Sequence, residues 1–186
     1  VAVTAGQSVT VVDINAGLLR FTPAANANGL ANATFTFRVQ DDGGTANGGV
    51  DTDASANTMT INVTSVNDAP AGTDTTVTTL EDTAYTFTAA NFGFTDAADS
   101  PANTLLSFTI SALPLTGALT LNGVAMTLGQ SVSIADINAG LLRFTPAANA
   151  NGLANAAFTF RVQDDGGTLN GGVNLDASPN TMTIDV

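Results

Sequence analysis

A chain of 186 residues, 44% hydrophobic and only 11% charged, is long enough for one large or two ordinary domains and too apolar to remain an unfolded acidic tail. Fifteen Asp and the single Glu81 face four Arg, no Lys and no His; the net charge of −12 excludes nucleic acid, whose phosphates need basic patches, and repels an anionic membrane surface. The absence of Cys and His removes zinc- and copper-type sites, and no apolar run of about 18 residues predicts a membrane span, so no membrane insertion is expected.

Residues 1–63 match residues 124–186 at a constant offset of 123, with 52 of 63 positions identical. A period of that length is a domain rather than a solenoid turn, so the chain is expected to be a string of repeats. Residues 1–66 are expected to form the C-terminal half of one repeat. Residues 67–186 then form a nearly complete repeat that includes its own N-terminal linker, 67–74, and VTSVNDAPAGTD over 63–74 breaks the strand periodicity at Pro70.

Within the complete unit the predicted strands, in chain order, are TTVTTL (75–80), AYTFTA (84–89), LLSFTISAL (105–113), ALTL (118–121), SVSI (131–134), LLRFT (141–145), AFTFRVQ (157–163) and TMTIDV (181–186). Each alternates apolar residues with Thr or Ser, as half-buried antiparallel strands require. Asn122-Gly123 reads as a two-residue hairpin turn, and ADINAG (135–140) as one helical turn capped by Asp136. Seven or eight short strands without Cys or Trp predict an all-β Greek-key sandwich of the cadherin/Ig type, with Phe87, Phe108, Phe144, Phe158 and Phe160 in its core. The four Arg, two positions seen twice, are expected to form surface ion pairs.

In such a sandwich three polar segments fall at one end: the linker with Asn67 and Asp68, the loop TDAADSPAN with Asp96, Asp99 and Asn103, and the long hairpin loop with Asp164, Asp165 and Asp176. These are either ordinary polar turn residues or oxygen ligands for Ca²⁺, which takes about six to eight such donors and would neutralise a self-repelling pole. The first half-unit carries its own set in Asp41, Asp42, Asp51 and Asp53, of which Asp53 matches Asp176 while Asp51 is replaced by Asn174.

The ordered motifs VNDAP, EDT, FTDAADSPAN and FTFRVQDDGG resemble the cadherin-like tandem repeats of large bacterial surface proteins and RTX-type adhesins. That resemblance implies Ca²⁺ between consecutive domains, with Asn67, Asp68, Asp96, Asp99 and Asn103 as ligands and Glu81 facing the following linker. The loop departs from the family pattern in spacing its carboxylates Asp-Ala-Ala-Asp rather than Asp-x-Asp.

The function expected is therefore a structural, calcium-binding repeat of an extracellular adhesin stalk or surface fibre, serving extension, cell adhesion or biofilm cohesion. Its partners are adjacent repeats of the same polypeptide or identical subunits in a fibre. Two alternatives stand beside it: a carbohydrate-binding sandwich, although only Tyr85 and no Trp is present for stacking, and a subunit that assembles into filaments by strand donation. An enzyme is not expected, because adjacent Asp pairs in a Gly-rich hairpin are poorly placed to face one another across a cleft.

Overall fold

The computed structural model describes residues 2–186 and divides into two compact units, Val1–Thr64 and Ser65–Val186. In the first, a short helix α1 (Val11–Asn15) is followed by a two-stranded antiparallel sheet of β1 (Gly29–Phe37) and β2 (Asn57–Val63). None of its described residues is buried.

The second unit is a β-sandwich, as the alternating pattern requires. One sheet has the order β3-β11-β10-β5-β8, formed by Thr75–Thr78, Asn180–Asp185, Ala156–Asp164, Leu105–Ala112 and Ser131–Ser133. The other has the order β4-β9-β6-β7, formed by Tyr85–Thr86, Leu142–Thr145, Ala118–Leu121 and Val124–Ala125. All pairings are antiparallel except that of β3 with β11, which brings the first and last strands of the unit side by side. Every predicted strand is present, and β7 is added as the return of the Asn122-Gly123 turn. Both turn residues have positive φ, 50° and 77°, the geometry that matches the twist of the flanking strands.

The five predicted core phenylalanines are all buried, and Phe92 joins them. Phe92 reaches the core from a 3₁₀ turn, Ala89–Phe92, where it stacks on Phe108 at 4.2 Å between ring centroids and meets Phe160 edge-on at 5.0 Å. Burying each such ring removes apolar area worth about 1.5–3 kcal/mol from water.

Two expectations need correction. The helical turn is α2 (Ile134–Asn138), and its cap is Ser133, not Asp136. The Ser133 hydroxyl oxygen accepts from the Asp136 backbone N–H at 3.1 Å and donates to the Asp136 carboxylate at 2.6 Å, so Asp136 lies one turn in and favours the helix start by its charge. Three of the four arginines donate to backbone carbonyls, and the charge of Arg38 also helps to lower the Asp53 carboxyl. Arg143 and Arg20 each donate Nε to the carbonyl three residues back, on Gly140 and Gly17, and so fasten the turn after the helix. Arg38 donates to the Asp53 carbonyl at 3.1 Å.

Candidate metal centre

The segment read as a linker is sewn into the second unit. Ala71 and Thr95 exchange both backbone hydrogen bonds, at 2.9 and 2.8 Å, Pro70 is buried, and Gly72 N–H donates to Asp176 at 2.9 Å. Asp74 accepts from the Thr181 N–H at 2.7 Å, which fixes the start of β3 beside the start of β11. These contacts hold the incoming chain at the end of the sandwich where the hairpin loop between β10 and β11 lies.

Asn67 is the centre of that end. Its Nδ2 donates to Asp164 Oδ1 at 3.0 Å and to the carbonyls of Gly167 at 3.1 Å and Val173 at 2.8 Å. Asn103 closes the other side, with Nδ2 against Asn67 Oδ1 and, at 3.4 Å, Asp99 Oδ2. Asp99 Oδ2 also accepts from the Asp68 N–H at 2.9 Å, and Asp96 Oδ2 accepts from the Asn103 N–H. The structure thus brings together Asn67, Asp68, Asp96, Asp99, Asn103 and Asp164 from three segments far apart in sequence.

The remaining candidates are placed differently. Both oxygens of Asp165 are taken by Thr104, through its N–H and its hydroxyl, each at 2.7 Å; these bonds hold the Asp165 carboxyl below the usual range and pin the two loops together. Asp176 accepts from Gly72, Ser178 and Asn180, so its side chain ties the linker to the hairpin loop. Glu81 is exposed beyond the far end of β3, where the Thr79 N–H donates to the Asp185 carbonyl, and stands apart from the Asn67 cluster. In the first unit, Asp53 repeats the Asp176 pattern with Ser55 and Asn57, Asp51 accepts from Gln40 and Thr52, and Asp41 accepts from the Gly43 N–H. Asp42 is exposed.

The electrostatics of the cluster are unbalanced. Asp164 is fully buried, and burial pushes its carboxyl above the usual range; the Gly166 N–H and Asn67 amide pull it back in part, and the charges of Asp96 and Asp99 push it further up. Asp96 is also buried, and its Oδ1 has no hydrogen-bond partner. A buried carboxylate oxygen without a donor is costly.

Among the described residues no three acidic side chains alone come close enough to hold a metal ion, because the Asn67 and Asn103 amides stand between the carboxylates. Each amide also carries a carbonyl oxygen, so the same side chains add hard-oxygen donors to the set. Carboxylate and amide oxygens, among them the unsatisfied Asp96 Oδ1, are hard donors of the kind Ca²⁺ takes.

Gly166 is needed for this packing. A Cβ built there would overlap the Asn67 and Asn103 side chains, so Gly166→Ala should lower the stability of the second unit by about 1–3 kcal/mol in urea unfolding. An unchanged midpoint would mean the loop does not close on Asn67.

No exposed aromatic side chain is present in the second unit. Tyr85 and Phe94 are half-buried against the core. No helix is long and apolar enough to cross a membrane. Neither curated proteins nor solved structures give a match to the chain. The model of the bacterial Ig domain matches residues 67–176, more than half of the chain, spanning the linker, the sandwich and the hairpin loop just described. The chain belongs to the bacterial Ig domain family, whose members occur in surface proteins and are typically non-catalytic.

Proposed function

We propose that the chain is a structural repeat of an extracellular bacterial surface protein, of the cadherin-like adhesin type, whose linker end binds Ca²⁺ and so fixes the incoming polypeptide on the sandwich. The observation that carries this reading is the cluster of Asp96, Asp99 and Asp164 around Asn67 and Asn103, with one fully buried carboxylate and one buried oxygen that lacks a partner. Asn67, Asp68, Asp96, Asp99, Asn103 and Asp164 would hold the ion, which supplies the positive charge that no side chain supplies there. Asp165 and Asp176 act beside it as pins that keep the loops in place.

The near-identity of the two copies supports a task performed by repetition, because copies with separate tasks would differ at the residues that perform them. Adjacent repeats of the same polypeptide are then the natural partners. A junction tied by an ion resists bending, which suits a stalk that holds an adhesive tip away from a cell or links cells in a biofilm.

Thermal unfolding of the full chain in EDTA and in Ca²⁺ tests this. With a dissociation constant of about 10⁻⁴ M, as extracellular Ca²⁺ modules reach, 10 mM Ca²⁺ stabilises the folded unit by about 2.7 kcal/mol. For a unit of this size that is a rise in Tm of about 10 °C. Identical melting curves would refute the ion-binding role.

A further inference from the structure

The same sequence is buried in one unit and bare in the other. Phe158 is 1% exposed and its counterpart Phe35 44%; Met182 is 0% exposed and Met59 45%. Of the eleven buried apolar residues between 124 and 186, only Met126 has a different counterpart, Val3. Both faces are therefore built from the same side chains.

What covers the face in the second unit is the segment 67–123. It lays β3 beside β11 (Ile184 opposite Val77), β5 beside β10 (Phe160 opposite Ile110, Val162 opposite Phe108) and β4 and β6 beside β9. Phe87 meets Phe158 edge-on at 5.5 Å, whereas in the first unit Phe35 has Phe37 as its aromatic neighbour, at 6.1 Å. The counterparts of β8 and β9, residues 8–10 and 19–22, form no strands. Those strands exist where β4, β5 and β6 offer backbone partners and are absent where none is offered.

We propose that the apolar face of residues 2–64 is an acceptor for a polypeptide segment with the strand chemistry of residues 67–123, distinct from the one already seated on 124–186. Within these 186 residues two such faces stand against one such segment, so exchange between two copies of this stretch empties one face for every face it covers. The proposal does not depend on cation binding.

The test mixes the full 186-residue chain with a separately made polypeptide of residues 67–123 and follows hydrogen exchange. Expected are one-to-one binding and at least tenfold slower exchange of the β1 and β2 amides, both lost in Phe35→Asp, which alters an exposed side chain and leaves the second unit intact. A second form avoids aggregation of the free polypeptide by fusing residues 67–123 ahead of Val1, so that the junction repeats Gly123-Val124. In it, β1 and β2 should exchange as slowly as β10 and β11. Unchanged exchange at residues 2–64 in the fused chain would overturn the proposal. So would a probe that protects only 124–186, or a face that closes on a second copy, seen as a doubled molar mass without the probe.

Discussion

Phe158→Ala should destabilise the second unit by about 3–5 kcal/mol, whereas Phe35→Ala, the same change in nearly the same sequence 123 residues earlier, should leave the stability of the first unit within about 0.5 kcal/mol of the parent. The difference arises from environment alone. Phe158 lies between the sheets against Phe87 and Phe160, and truncation there loses both its transfer free energy and its packing contacts. Phe35 already faces solvent in a two-stranded sheet, so little is lost. Urea unfolding of the two variants, followed by far-UV circular dichroism, checks this; equal losses would mean that the first unit has a core of its own.

Asp164→Asn should abolish the stabilisation by Ca²⁺ without lowering the Tm in EDTA. In the cation-free protein the Asp164 carboxylate is buried, repelled by Asp96 and Asp99 and offset only by hydrogen bonds from Gly166 and Asn67. Asn keeps one acceptor oxygen for those donors and removes the charge, so metal-free stability is retained or raised. With Ca²⁺ the loss of a charged ligand removes most of the expected gain of about 2.7 kcal/mol. A variant that melts lower in EDTA would show Asp164 to be a structural acceptor instead of a cation ligand. Asp165→Ala is the contrast: it removes both oxygens that hold Thr104 and should lower stability with and without the ion.

Most of the sandwich was legible because its strands alternate strictly. Ala-Phe-Thr-Phe in one segment and Leu-Ser-Phe-Thr-Ile in another leave only one face to bury, and the five phenylalanines named from that pattern are in the core. Phe92 was not legible, since it enters the core from a 3₁₀ turn whose only local signal is the reciprocal Thr88–Asn91 capping arrangement. The cap of α2 was misplaced for a related reason. Ser133 and Asp136 are both good capping residues, and the backbone geometry at Ser133, extended at φ −74° and ψ 153°, decides between them.

At the linker end, sequence gathered the right segments but could not sort their residues. Asp is equally suited to chelate an ion and to accept backbone N–H groups. Asp165 and Asp176 turn out to have their oxygens engaged by Thr104 and by Gly72, Ser178 and Asn180, whereas Asp96 keeps a bare oxygen and Asp164 a bare charge. Gly166 was overlooked altogether, because a glycine that admits a neighbouring side chain looks in sequence like any other loop glycine.

The most direct measurement is a Ca²⁺ titration of the ¹⁵N-labelled full chain followed by amide NMR shifts. A built cation site gives saturable shifts at Asn67, Asp68, Asp96, Asn103, Asp164 and Gly166, with the Asn67 and Asn103 side-chain amides moving alongside. Shifts that never saturate, or that spread evenly over the exposed Asp residues of both units, would contradict a built cation site and leave only an acidic surface.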